Sequence, residues 1–262
     1  MRLDALLAER GLFASRSRAA ASVLAGEVLL GASRARASKP GQMVDPDVAV
    51  DVTQRPAYVS RGGVKLANAV AALGLEVRGR RALDVGASTG GFTDFLLQEG
   101  AASVIAYDVA YGELHWSLRT DERVTVVERA NARRMTAEEL PYAPDLIVAD
   151  VSFISLTKVL PAVLACAVPE GFDALAMIKP QFEVGREKIG SGGVVREAAD
   201  RVGALVGVAR SVRDAAGVSV LGFASSGLPG PKGNRESFVW LAEAGRPGDV
   251  EDIAMAARVV EP

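Results

Sequence analysis

The stretch RALDVGASTGG, residues 81–91, joins a short apolar run to an acid and then to a glycine-rich turn. No other feature constrains the fold as strongly, because this is how a buried strand turns into a helix around a ligand. The helical pattern VKLANAVAAL precedes it, and strand-like runs follow at 103–109, 124–129, 145–151, 173–179, 218–226 and 237–244. Helical patterns such as GFTDFLLQEG and SLTKVLPAVLACAV separate most of these runs. Strands that alternate with helices build a parallel sheet covered on both faces. Seven of them predict a doubly wound, mostly parallel, Rossmann-like α/β domain. Hydrophobic residues make up 49% of the chain and charged ones 24%, enough apolar mass for such a core.

The glycine loop comes late because a smaller segment precedes it. In residues 1–53, Leu3, Leu6 and Leu7 form an apolar stripe that stops at Gly11. Ser15 is placed to cap a second helix that runs to Gly26. EVLL and DVAVDV then read as short strands, giving a small α+β domain. Residues 54–63 are expected to be a linker, 64–245 the α/β domain and 246–262 a C-terminal tail. The net charge of −2 gives no global positive field, yet residues 1–44 carry seven Arg or Lys against three acids. The one cysteine, Cys166, sits in apolar company and is expected mid-helix in the core. A chain with no disulfide of its own fits a reducing cytoplasm. Arg2, Asp4 and Glu9 interrupt any signal peptide, and the longest apolar run, Val159–Val168, is about half a membrane span. A soluble, cytoplasmic protein is expected, with a monomer as the default.

In doubly wound sheets, ligands sit beyond the carboxyl ends of the strands. Gly86, Gly90 and Gly91 let the backbone approach a ligand there, and Asp108 follows Gly86 by 22 residues, where an acid binds adenosine ribose hydroxyls. A nicotinamide dinucleotide fits less well. The spacing is G-x-x-x-G-G rather than G-x-G-x-x-G, and Asp84 would face a pyrophosphate. S-adenosylmethionine carries an ammonium instead, which Asp84 would attract. A methyl acceptor is then needed. The strand DLIVADVSFISL has no proline pair of the sort used on base amines, Cys166 reads as core, and the lone histidine, His115, reads as surface. Lysines and carboxylates remain. Asp150 and Lys179 end apolar strands on the same rim, Lys65 opens a helix, and Glu236 opens the last strand.

YVSRGGVKL, LDVGASTGGFTDFLL, YDVAYGEL, ADVSFISL, IKPQFEVG, GGVV and PGPKGN.E together resemble the TlyA family, the haemolysin-like ribosomal RNA 2′-O-methyltransferases. The likeness runs from about residue 2 to residue 243. It implies an FtsJ-type methyltransferase domain behind a ribosomal-protein-S-four-like RNA-binding domain. It also implies a catalytic tetrad of Lys65, Asp150, Lys179 and Glu236, with Lys179 as base, Lys65 disfavouring its charge, and Asp150 orienting it. Asp84, Gly86, Ser88, Thr89, Gly90, Asp108, Asn131 and Phe153 would line the S-adenosylmethionine site. Arg2, Arg16 and Arg18 on the small domain, Arg61 in the linker, and Arg129 and Arg133 near the pocket would face RNA. Ribosomal RNA within a subunit is the implied partner, with cytidine as target and a link to capreomycin- and viomycin-type antibiotic sensitivity. The short N-terminus and the tail point to different forms of the family, so the large subunit alone or both subunits stay open. Two rival readings are a haemolysin-like membrane-active protein and a non-catalytic ribosome-assembly factor.

Overall fold

The structure is a computed structural model describing residues 1–13, 15–24, 26–53 and 57–261. It divides into two compact units, Met1–Pro56 and Ala57–Pro262. The first contains α1 (Leu3–Glu9), α2 (Arg16–Leu24), β1 (Val28–Leu30), β2 (Ala35–Arg36) and β3 (Val50–Val52). Strand β1 lies between β2 and β3 and is antiparallel to both. Leu3, Leu7, Ala19, Val23 and Val28 close a small core against the helices. The Ser15 hydroxyl accepts the Arg18 N–H at 3.3 Å, which starts α2 where the sequence predicts.

The second unit runs α3 (Arg61–Leu73), β4 (Arg81–Val85), α4 (Gly91–Gln98), β5 (Ser103–Tyr107), α5 (Trp116–Arg119) and β6 (Val124–Val127). It continues with β7 (Leu146–Ala149), α6 (Leu160–Leu164), β8 (Asp173–Ile178), α7 (Pro180–Glu183), α8 (Ala198–Ala216), β9 (Ser219–Ser225), β10 (Ser237–Ala242) and α9 (Ile253–Val260). All seven expected strands form, in the order β6-β5-β4-β7-β8-β10-β9. The strands from β6 to β8 are parallel, and β10 runs antiparallel to β8 and β9. Successive side chains alternate across the sheet. Ala82 packs on the α3 and α4 face, while Leu83 and Val85 join the core covered by α6, α8 and α9. The chain works outward from β4 to β6 and then returns to β7. Connections therefore diverge at the carboxyl ends of β4 and β7, and a crevice opens there.

Three expectations need correction. Helix α3 begins at Arg61, because Ser60 accepts the Gly62 N–H at 3.3 Å and ends the extended backbone. The last three residues of the expected linker are thus helical, and residues 54–56 lie outside those described. The expected tail is a docked segment: the Asp252 carboxylate accepts the Met255 N–H at 3.0 Å, and Ile253 and Ala257 of α9 join the core beside α8. Cys166 lies beyond the end of α6, still in the core, and burial pushes its thiol up, away from a reactive thiolate. Among the described residues, no helix is long and apolar enough to cross a membrane. No group of side chains suited to a metal ion occurs among them either.

Candidate active site

A cavity of about 580 Å³ occupies the crevice, lined by Gly86, Ser88, Asp108, Asn131, Asp150 and Phe153 among others. Gly86 has φ of 84°, and a Cβ there would fall 2.5 Å from the Asp150 carbonyl oxygen. Only glycine lets β4 and β7 close on each other at this rim. Asp108 fixes the loop opposite: its two carboxylate oxygens accept the Ser88 and Ala110 N–H groups, each at 2.7 Å. Each oxygen keeps a further lone pair for a ligand hydroxyl. Asn131 accepts the Arg133 N–H through its side-chain oxygen at 3.1 Å, which leaves its amide nitrogen for the cavity.

Asp84 does not line this cavity. It shares the strand face of Ala82, so its side chain turns under α4, where the Thr93 N–H and hydroxyl donate to Oδ2 at 2.9 and 2.7 Å. The other oxygen, Oδ1, is buried with no hydrogen-bond partner. Burial lifts the carboxyl to about 7, Asp150 and Asp108 add to the shift, and the Thr93 bonds oppose it. A buried acceptor without a donor costs about 1–3 kcal/mol, so a cationic donor delivered by a ligand would fit this position. Thr89 and Gly90 also stay out of the cavity. The Thr89 carbonyl accepts the His115 N–H at 3.2 Å, and Gly90, at φ of 94°, packs on Leu114 and Leu118.

A second cavity, of about 460 Å³, adjoins the first. Lys65, Asp150, Lys179 and Glu236 all line it, and Asp150, Ser152 and Phe153 belong to both. The four charged residues form two ion pairs. Lys179 Nζ lies 2.5 Å from Asp150 Oδ1 and donates to Ser152 Oγ at 2.7 Å. Lys65 pairs with Glu236, both buried. The charge of Lys65 is therefore compensated, so the repulsion expected between the two lysines is offset by a carboxylate on each. Phe153 is 91% exposed, adopts φ of 64°, and packs at a tilt of 48° against Phe182 with centroids 5.3 Å apart. A bulky residue in the left-handed region beside a cavity is a costly conformation of the kind that clusters at functional sites.

Residues 58–243 match the FtsJ-like methyltransferase family. The chain is 48% identical over 92% of its length to the 16S/23S rRNA (cytidine-2′-O)-methyltransferase TlyA of Mycobacterium tuberculosis, covering 89% of that protein. The chain belongs to the TlyA group of FtsJ-like methyltransferases. It is also 38% identical, over 90% of its length and 97% of the relative, to hemolysin A of Brachyspira hyodysenteriae. A solved structure from Streptococcus thermophilus that carries a hemolysin name superposes with a TM-score of 0.74 at 39% identity, covering 99% of this chain and 95% of that one.

In this FtsJ-like methyltransferase the six arginines expected to face RNA are dispersed. On the first unit, Arg2 is ion-paired to the buried Asp4 at 2.8 Å and Arg16 reaches the same carboxylate at 3.4 Å, while Arg18 is exposed. On the second unit, Arg61 donates to the Pro229 carbonyl at 2.7 Å, Arg129 lies over the Tyr111 ring, and Arg133 lines the first cavity. Sequence reading missed three contributors to the TlyA-like site. Ser152 anchors Lys179. Glu183 accepts from the Ser155 hydroxyl at 2.6 Å and the Leu156 N–H at 2.9 Å, pinning the loop after Asp150 to the helix after Lys179. Asn234 lines the second cavity. The runs IKPQFEVG and PGPKGN contain Glu183 and Asn234, but only three-dimensional contacts single them out.

Proposed function

We propose that this chain is an S-adenosylmethionine-dependent methyltransferase that modifies the ribose 2′-hydroxyl of cytidine in ribosomal RNA. The observation that carries this reading is the shared wall. Asp150, Ser152 and Phe153 separate a cavity lined by Gly86, Ser88, Asp108 and Asn131 from one holding Lys65, Lys179 and Glu236. The identity to the tuberculosis enzyme, spread over nearly all of both chains, supports the substrate class.

S-adenosylmethionine, when bound, supplies an electrophilic methyl on a sulfonium. Gly86, Ser88, Asp108 and Asn131 would hold its adenosine portion, and the buried, unpartnered Oδ1 of Asp84, outside the cavity lining, would attract its ammonium. The acceptor ribose would enter the second cavity, with Phe153 offering an exposed ring on which a base can stack. Lys179, in its neutral amine form, takes the hydroxyl proton and becomes the ammonium paired with Asp150 as the new O–C bond forms and the C–S bond breaks. Asp150 and Ser152 fix the direction of its amine, and Lys65, held by Glu236, donates a hydrogen bond to the attacking oxygen. Much of the acceleration comes from keeping oxygen, methyl and sulfur in line. Arg2, Arg16, Arg18, Arg61, Arg129 and Arg133 contribute phosphate contacts that give affinity without reading sequence.

The test is incubation of purified ribosomal subunits with methyl-labelled S-adenosylmethionine, followed by nuclease digestion. Label in 2′-O-methylcytidine, lost with Lys179→Ala, supports the reading. Label on a base, or none on RNA, overturns it.

A further inference from the structure

Arg201 and Glu261 form an ion pair at 2.7 Å between α8 and the residue just after α9, with both side chains under 10% exposed. Neither touches the cavities of the reaction. Their contacts lead there. Arg201 Nη1 donates to the Arg196 carbonyl at 2.6 Å and to the Val195 carbonyl at 3.4 Å. The Val195 N–H donates to Asn234 Oδ1 at 2.9 Å, and Asn234 Nδ2 donates to the Gly193 carbonyl at 2.8 Å. Asn234 also accepts the Gly230 N–H at 2.8 Å through its backbone carbonyl. Gly193, Gly230 and Asn234 are wall residues of the acceptor cavity. A Cβ on Gly230 would lie 2.5 Å from Glu236 Oε1, so this wall stands directly against the carboxylate that holds Lys65. From the other end, Ser237 Oγ donates to Glu261 Oε1 at 3.2 Å, and Ser237 follows Glu236 in sequence.

We infer that Arg201 and Glu261 are positioning residues for the methyl acceptor: their ion pair anchors residues 193–196 and, through Asn234, sets the wall that faces Lys65 and Glu236. The inference rests on the methyltransferase reading above. A planar guanidinium does this work because it bonds the carboxylate and two carbonyls at once in a fixed fork. A lysine would keep the charge opposite Glu261 but not the fork. The cofactor cavity shares none of the relay residues. Loosening the relay therefore affects the acceptor and spares the cofactor.

The decisive variant is Arg201→Lys, assayed on ribosomal subunits with S-adenosylmethionine affinity measured separately. The expected result is a rise in acceptor KM of about fivefold or more, at cofactor affinity within about twofold of wild type, because each charged hydrogen bond removed changes an equilibrium by about a factor of ten. The double variant Arg201→Met with Glu261→Leu replaces the pair by apolar side chains of similar size, an exchange that buried pairs tolerate. It should show the same KM shift and covers the case in which the lysine variant does not fold. Wild-type acceptor KM in either folded variant overturns the inference, as does an equal loss of cofactor affinity. An inactive wild-type protein would instead defeat the methyltransferase reading itself.

Discussion

If the proposed function holds, Asp84 should make cofactor binding pH-dependent. Burial pushes its carboxyl up to about 7 in the free protein, and an ammonium attracted to it would favour the ionised form. Binding must expel the proton whenever the group is protonated. The observed Kd then scales as one plus ten to the power of seven minus pH, so it is about tenfold weaker at pH 6 than at pH 8, or about 1.4 kcal/mol. Calorimetry in buffers of different ionisation enthalpy should show close to one proton released per ligand at pH 6 and almost none at pH 8. Asp84→Asn should flatten the profile and weaken the plateau about 10- to 100-fold, the loss of one charged hydrogen bond. Stability supplies an independent sign. A carboxyl raised on folding lends stability that is complete below its unfolded value near 4 and is lost as pH rises through about 7, a fall of about 4 kcal/mol for this group. The ligand-free asparagine variant should therefore melt above wild type at pH 8. A Kd flat from pH 6 to 8, with no proton release at pH 6, would refute the assignment.

Lys179→Ala should lower the single-turnover methylation rate by about 10²- to 10⁴-fold, while S-adenosylmethionine affinity by calorimetry stays within about threefold. Gly86→Ala, which drives a Cβ into the Asp150 carbonyl at a φ of 84°, should abolish cofactor binding in equilibrium dialysis and destabilise the fold by about 2 kcal/mol or more in a urea melt. Glu183→Ala strands the Ser155 and Leu156 donors, so it should cost about 1–3 kcal/mol by urea melt and reduce turnover by freeing the loop that carries Ser152 and Phe153. Arg2→Ala with Arg16→Ala should weaken RNA binding and reduce the slope of log affinity against log salt by about one for each phosphate no longer neutralised, measured by filter binding from low to moderate salt.

The sheet is legible in the sequence because buried parallel strands are short apolar runs, and here each active-site strand is followed at once by a charge or a glycine: Gly86 after β4, Asp108 after β5, Asp150 after β7 and Lys179 after β8. That punctuation alone locates the rim. The orientation of Asp84 is also written in the pleat, since it shares the face of Ala82, but a reading by charge alone places it in the cavity lining instead. The start of α3 is obscured by Gly62 and Gly63, which read as a loop by helix propensity. Gly63 is there for packing: a Cβ would collide with the Tyr58 ring. Pairings such as Arg201 with Glu261, 60 residues apart, leave no periodic trace in one sequence.

Charge is distributed unequally across the shared wall. In the first cavity Asp108, Glu113 and Asp150 outnumber Arg133, while in the second Lys65, Lys179 and Lys232 outnumber Asp150 and Glu236. Under the proposed function, a cationic nucleoside would be drawn to the first side and a phosphate-bearing strand to the second by Coulomb attraction. Methyl transfer removes the positive charge from sulfur while leaving every carboxylate in place. The acidic side would thus lose part of its attraction at the moment the reaction ends, and the spent nucleoside would be held less firmly than the one that entered. Asp150, the one acid common to both cavities, would respond to both changes, because in the proposed step the Lys179 it holds gains the proton that the ribose gives up.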